Sequence, residues 1–351
     1  METVLLTPDD PRWAEALDGA RCEFYHWPDY CRLEAERMEG EARAVRVSDG
    51  SQTMLLPLVL RPVGRDEPEE RVDAVSPYGY PGPVLRCNPE SRRSFASAAA
   101  LSAVPTLRGE GVVSAFVRLN PLLDDPDDLK SVGTVVHHGD VTWIDLRQDS
   151  TELHRAVRSR YRSYINAARR SGVEARFDDD WRHLADFVDL YHRTMDRVHA
   201  SAWYYFDEAY FAGLRSALGE SLKLCVVERD DDLIAAGLYA RSGRIVQYLF
   251  SGVDVEAGEP HATKLMMVFV RDWAKAAGAE IFHLGGGLGG GADELSRFKR
   301  GFSKLTKPFF TWRIVVDDGQ YARLTAAWER ETGVTADDEG GFFPAYRKPA
   351  G

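Results

Sequence analysis

Four cysteines, Cys22, Cys31, Cys87 and Cys225, are scattered through 351 residues with no CxxC pair among them. That spacing argues against a disulfide framework or a cysteine zinc site and leaves buried thiols as the expected state. The nine histidines form no ligand constellation either. His137 and His138 are adjacent, so on a strand they would face opposite ways, and a surface turn is the expected setting. There is no GxSxG elbow and no cysteine in a nucleophile context, so covalent catalysis is not indicated. No run reaches the roughly 18 apolar residues of a membrane span, and the start METVLLTPDDPRW lacks a basic region followed by an apolar stretch. A cytoplasmic chain without a transmembrane segment is expected. Positive charge is also in deficit: 44 Lys and Arg against 55 Asp and Glu give a net charge of −11. This argues against a protein coated in nucleic acid but leaves room for a local basic groove.

What the chain does have is an ordinary globular composition, 44% hydrophobic and 28% charged, enough for two domains of about 150 residues each. In the first half, ARAVRVS and TMLLPLVLRPV read as a hairpin about the turn DGSQ. VDAVSPYGYPGPV follows as a strand and a Pro/Gly loop, then an alanine-rich helix near Ser91 to Val104, then the strand VVSAFVRL. The second half repeats the order: LKLCVVER and LIAAGLYARS as a hairpin, RIVQYLFSGV as a strand, the loop DVEAGEPHA, the helix TKLMMVFVRDWAKAAG and the strand EIFHL. Between them lie two helical stretches, Ser150 to Ser171 and Asp180 to Val198. The pattern therefore predicts an α/β (α+β) protein of two similar tandem domains, residues 1–144 joined by 312–351 and residues 145–311, with a ligand in the cleft between them. The tail VTADDEGGFFPAYRKPAG reads as loosely ordered.

The stretch FHLGGGLGGGADELSRFKRGFS, Phe282 to Ser303, carries six glycines between a strand and a charged helix. It contains a literal GxGxxG, but the acidic residue expected some 20 positions on is absent, and Asp293 and Glu294 in the helix's first turn would repel a pyrophosphate. No Gly-Lys-Ser/Thr closes a Walker A loop. Close backbone approach by a ligand and a flexible connector both remain as readings. Phe298 offers a stacking face, and Lys299 and Arg300 offer cations, the pairing that holds a base beside its phosphates, although a solvated helix looks similar. His283 just before the glycines reads as a satisfied interior imidazole. A second basic feature is HRAVRSRYRSYINAARR. On one continuous helix Arg155, Arg158, Arg162 and Arg169 fall within about 60° of one another, a ridge suited to a polyanion on a protein of opposite net charge.

Together SPYGYPGP, LHRAVRSRYRSYINAARRSGVEARF, LYHRTMDRVHASAWYYF and the glycine-rich motif resemble the Fem family, the aminoacyl-tRNA-dependent transferases of peptidoglycan cross-bridge synthesis, and their short relatives in the GNAT acyltransferase superfamily. The resemblance spans roughly Ser76 to Lys304 and implies two GNAT-like domains and no cofactor, with aminoacyl-tRNA as co-substrate. It implies that Phe298 and Lys299, with Arg300, hold the terminal nucleotide of the donor. Gly287 and Gly289 would let the donor's 3′ end pass close to backbone, and the arginine ridge would meet the tRNA. Arg197 with Tyr204 or Tyr205, together with Tyr78 and Tyr80 of SPYGYPGP, would face the acceptor. The long helical hairpin of the staphylococcal cross-bridge enzymes is missing. The early lysine that contacts acceptor phosphates in some members has only Arg32 near its place. The acceptor implied is thus the amine of a small molecule or of a peptidoglycan precursor.

The expected mechanism is direct attack of that amine on the ester, with Tyr248 or backbone N–H groups holding the oxyanion and Lys299 positioned beside it. An acyl-CoA donor is the rival. It is disfavoured because Asp254, Glu256 and Glu259 line the loop where a pyrophosphate would bind. A non-catalytic binding protein built from a decayed GNAT pair is a third reading.

Overall fold

The computed structural model describes residues 1–64, 71–258, 261–287, 291, 293–336 and 341–349. The chain divides into two compact units, Met1–His138 with Pro308–Gly351, and Gly139–Lys307. The first unit runs β1 (Glu2–Leu6), α1 (Pro11–Leu17), α2 (Pro28–Arg37), β2 (Glu41–Ser48), β3 (Thr53–Pro62), β4 (Val72–Val75), β5 (Val84–Arg86), α3 (Arg92–Gly109) and β6 (Val112–Arg118). Strand β7 (Thr134–Asp145) leads into the second unit. There α4 (Ser150–Ala156), α5 (Ser159–Arg170), β8 (Glu174–Phe177), α6 (Leu184–Arg197) and α7 (Glu208–Leu218) precede β9 (Leu222–Arg229), β10 (Asp232–Ser242), β11 (Ile245–Val253), α8 (Ala262–Ala276), β12 (Ile281–Gly285) and α9 (Glu294–Lys299). Strand β13 (Thr306–Val315) returns the chain to the first unit, which α10 (Asp318–Thr332) and the tail complete.

The strand order is β1-β2-β3-β4-β6-β13 in the first unit and β8-β9-β10-β11-β12-β7 in the second. In each, antiparallel strands lead to a parallel pair joined by a crossover helix: β4 and β6 through α3, β11 and β12 through α8. Each is therefore a mixed sheet flanked by helices, the two GNAT-like domains expected from the repeat. The helices start where the local chemistry permits. Asp10, Asp149, Asp207, Asp293 and Asp317 each accept a hydrogen bond from a backbone N–H in the first turn that follows, satisfying donors the helix itself leaves open. The cores are rich in aromatic side chains: Trp13 and Trp312 are fully buried in the first unit, Tyr239 and Phe282 in the second.

Three expectations are corrected. The described part of the tail from residue 341 to 349 is not loose: Phe343 stacks on Phe116 and Tyr321, Tyr346 and Ser114 share a hydrogen bond of 2.7 Å, and Arg347 pairs with fully buried Asp73 at 2.5 Å. Burying Asp73 requires cations around it, and Arg61 supplies the other at 2.9 Å. His137 and His138 lie on β7 rather than in a surface turn. The His137 ring is 5.2 Å from that of Phe310, and His138 Nε2 is 2.8 Å from Thr311 Oγ1.

Ser150 to Ser171, the third, is not one helix. Val157 and Arg158 are extended (ψ 131° and 133°) and separate α4 from α5. The Arg158 N–H donates to Gly301 O at 2.8 Å, and the Arg162 guanidinium folds back onto the carbonyls that end α4, Arg155 O at 3.1 Å and Val157 O among them. The single arginine ridge therefore does not exist. Arg155 belongs to another helix, and Arg162 is spent as a cap on α4.

Candidate active site

Strands β11 and β12 pair over three residues only, Ile245 with Ile281, Val246 with Phe282 and Gln247 with His283. Beyond that point β11 stays with β10 as far as Val253, and β12 stays with β7 as far as Gly285. Each strand follows its outer neighbour, so the parallel pair opens into a fork at Tyr248. A bulge adds to this. Leu238 pairs with Phe250 and Tyr239 with Tyr248, leaving Leu249 as an extra residue. Side chains three apart on a strand normally point opposite ways, but the inserted residue brings Tyr248 and Ser251 together, and their hydroxyls are hydrogen-bonded.

Lys299, at the end of α9, reaches to this fork. Its Nζ donates to Gly286 O, just past β12, at 2.6 Å and lies 5.6 Å from the Tyr248 ring centroid on β11. The side chain is 7% exposed, and this desolvation brings the ammonium down to about 7, against a smaller upward pull from Asp293. Burial likewise raises the Tyr248 phenol above its usual value, with the Ser251 contact working weakly the other way. His283, fully buried with Nδ1 2.6 Å from Gln247 Oε1, is brought down to about 3, chiefly by burial and then by the Lys299 charge. It is a neutral interior imidazole.

Glycine is required twice around Lys299. A Cβ on Gly287 would sit 2.3 Å from Gly291 O and 2.4 Å from Asp293 Oδ1, where the chain folds back onto the N-cap of α9. A Cβ on Gly301 would sit 2.1 Å from the Tyr161 ring. Gly289 lies outside the described residues, as does Glu259.

The remaining predicted residues are spread over several places. Phe298 is half-buried, its ring 5.2 Å from Phe302 and 6.2 Å from Tyr161, so much of its surface is already packed. Arg300 lies 3.9 Å from Asp140. Arg155, Arg158 and Arg169 are exposed. Arg197 is exposed at the end of α6, and a short turn beyond it presents Tyr204, half-buried, with its carbonyl accepting from Tyr191 OH at 2.5 Å. Tyr205 follows, its hydroxyl donating to Asp196 Oδ1 at 2.7 Å, a bond that raises its phenol above the usual value. Tyr78 and Tyr80 belong to the first unit. There the Tyr78 carbonyl accepts from Tyr30 OH at 2.8 Å, and Tyr80 packs edge-on against Tyr25 and Phe309. Of the residues expected to act, the fork thus gathers Tyr248, Lys299, Gly287 and, beside them, Phe298.

Two features escaped the sequence reading. Lys264 on α8 lies with Nζ 5.1 Å from the Tyr161 ring and 5.7 Å from those of Tyr164 and Phe298. The Tyr, Arg and Ser alternation in RSRYRSY was the available signal for such a basic and aromatic surface. Ser251 at the bulge had no signal, because a bulge is set by pairing. Among the described residues no group of three His, Cys, Asp or Glu is placed to hold a metal ion. No described helix is long and apolar enough to cross a membrane.

Residues 155–300, most of the second unit, match a family model described as an acetyltransferase (GNAT) domain. No curated protein matches the chain. Among solved structures, the crystal structure of FemX is similar at 14% identity, covering 92% of this chain and 99% of that one with a TM-score of 0.69. The C-terminal domain of a protein from Agrobacterium fabrum described as a lysylphosphatidylglycerol synthetase is similar at 12% identity, covering 94% and 98%, TM-score 0.57. L-PGS from Bacillus licheniformis follows at 13% identity, covering 87% and 91%, TM-score 0.55. The chain has the fold shared by the Fem-type proteins and their GNAT relatives. With the domain match, that fold supports an acyltransferase type of function.

Proposed function

We propose that this protein is an aminoacyltransferase that moves an amino acid from aminoacyl-tRNA to the amine of a small molecule or peptidoglycan precursor, forming an amide. The observation that carries this reading is the open fork between β11 and β12 with Lys299 lying across it. The ester carbonyl of the donor would enter there. The acceptor amine attacks the carbonyl carbon, a C–N bond forms, the C–O bond to the tRNA 3′ oxygen breaks, and that oxygen leaves with the proton the amine gives up. Tyr248, a phenol that stays protonated because burial raises its value, can donate to the oxyanion. Lys299 supplies positive charge at or below neutral pH. His283 is neutral, buried and engaged with Gln247, so positioning rather than a histidine base accounts for the acceleration. The FemX-like fold and the motif from Phe282 to Ser303 support the choice of donor.

The GNAT domain match favours a second reading, acyl transfer from acyl-CoA. The loop ahead of α8 weighs against it only in part. Asp254 is paired with Arg193 at 3.1 Å, which among the described residues leaves Glu256 as the exposed carboxylate there. The two donors separate in one assay. The protein is incubated with tRNA charged with radiolabelled amino acids and, in parallel, with labelled acetyl-CoA, each with a panel of primary amines that includes a soluble UDP-linked muramyl peptide. Label leaving tRNA into an amide product is the expected result. Label leaving acetyl-CoA alone would overturn the reading.

A further inference from the structure

Arginines in this protein are commonly neutralised by carboxylates: Arg61 and Arg347 by Asp73, Arg92 by Asp128, Arg176 by Glu228, Arg193 by Asp254. The surface where α5 meets the start of α8 departs from that habit. Among the described residues, Arg158, Arg160 and Lys264 have no carboxylate within 4.0 Å. Aromatic side chains hold them instead. The Arg158 guanidinium lies 5.3 Å from the Tyr161 centroid, Arg160 Nε donates to the neutral Tyr164 hydroxyl, and Lys264 is surrounded by Tyr161, Tyr164 and Phe298. His261 stacks on Tyr164 at 3.6 Å and brings Nδ1 to 3.3 Å from Lys264 Nζ.

A ring face attracts a cation through its quadrupole but carries no net charge to cancel it. Three cations are therefore fixed in place with their charge still available, on a chain whose net charge of −11 would otherwise repel a polyanion. Burial lowers the Lys264 ammonium below its ordinary value, a cost that a bound phosphate would offset. The cluster is also joined to the fork. Lys264 shares the Phe298 ring, the next residue is Lys299, and the segment ahead of α5 is tied to Gly301 through the Arg158 N–H.

We propose that Arg158, Arg160 and Lys264 form a clamp for the phosphates of the donor, taking the single-stranded 3′ end of aminoacyl-tRNA as it approaches the fork. The identity of the donor rests on the function proposed above; the clamp itself rests on the unneutralised cations. Arg162, which caps α4, is not part of it.

The test is binding of deacylated total tRNA by the full chain across a salt series, with acetyl-CoA binding measured by calorimetry in parallel. Wild type is compared with Lys264→Met, which keeps an apolar stem over the rings, with the Arg158→Ala, Arg160→Ala double variant, and with Arg176→Ala as a neutralised control. Thermal unfolding checks that each variant folds. The slope of log affinity against log salt should fall by about 1 in Lys264→Met and about 2 in the double variant, and stay unchanged in the control. A slope equal to wild type in both test variants would overturn the clamp while leaving tRNA as the donor. Acetyl-CoA binding that is weakened by the same variants, with no tRNA binding in wild type, would keep a phosphate clamp and overturn tRNA. Binding of neither probe would overturn both.

Discussion

In the first unit the parallel strands β4 and β6 stay joined past the end of β4. The Ser76 N–H donates to Phe116 O at 2.8 Å, the Arg118 N–H to the Ser76 hydroxyl at 3.0 Å, and the Gly82 N–H to Arg118 O at 2.9 Å. Just beyond, buried Asn120 donates to Glu23 Oε2 at 2.5 Å and to Tyr80 O at 3.0 Å. In the second unit the corresponding pair separates after three residues, with a bulged strand on one side and the Lys299 ammonium held at Gly286 O on the other. The same architecture is thus used in two ways. One junction is closed by the chain's own polar groups, and the other parts into the fork that Lys299 crosses.

The largest expected effect separates the two directly. Lys299→Met should lower transfer by about 100-fold or more, the scale of losing a charged group at a developing oxyanion, and should raise stability at neutral pH. The folded chain holds Lys299 near 7 against an ordinary 10.5, so between those values the unfolded state binds more protons and wild-type stability climbs with pH. In the methionine variant that climb should be smaller by on the order of a few kcal/mol, read from urea unfolding at pH 6.5 and 9.5. A variant that kept full transfer at limiting donor would remove Lys299 from the mechanism.

Glycine substitutions come next. A Cβ on Gly252 would sit 2.4 Å from the Leu190 carbonyl carbon and 2.5 Å from Tyr191 N, both backbone, because β11 lies directly on α6. Gly252→Ala should cost about 3 kcal/mol. Gly109 of the first unit has open space around it within α3, so Gly109→Ala should be neutral or stabilise by up to about 1 kcal/mol. Chemical denaturation of the two variants side by side decides this, and equal costs would contradict the close approach of β11 to α6. Asn120→Ala in the filled junction should cost about 2 kcal/mol by taking a donor from buried Glu23, while kcat/KM for transfer changes less than 3-fold. A large loss of transfer with little loss of stability would make the first-unit junction part of the site.

How much of this could be read from the sequence follows from the range of the interactions. The hairpin of β2 and β3 was legible because its turn and its apolar strands are local, and the repeat of strand, crossover helix and strand showed through pattern alone. The helix break at Val157 was not legible. AVRS contains neither Gly nor Pro, and the break is fixed by Gly301, far along the chain, and by Arg162 reaching back to α4. The order of the tail was hidden for the same reason, since Phe343 and Arg347 find Phe116 and Asp73 only after folding. Lys299 was singled out by the motif, but its depressed ammonium depends on burial that the motif does not encode. The fork itself is a place where two strands stop pairing, which no local pattern of side chains marks.

A smaller effect on transfer than that of Lys299 is specific to the bulge. Tyr248 and Ser251 share a face only because Leu249 is extra. Burial keeps the phenol protonated well above neutral pH, since its value is raised from the ordinary 10.0, so Tyr248 can donate to an oxyanion but cannot serve as a base. Tyr248→Phe should therefore lower kcat by about 10-fold, a modest share of the loss reported for oxyanion donors in general, leave KM for the donor unchanged, and show the same ratio to wild type at pH 7 and pH 9. Ser251→Ala should produce a smaller drop of the same form, because it removes the partner that orients the hydroxyl and not the hydroxyl itself. A ratio that changed steeply with pH would assign Tyr248 a titrating role instead. A raised KM with kcat intact would make it a binding surface and return the oxyanion to the backbone of the bulge.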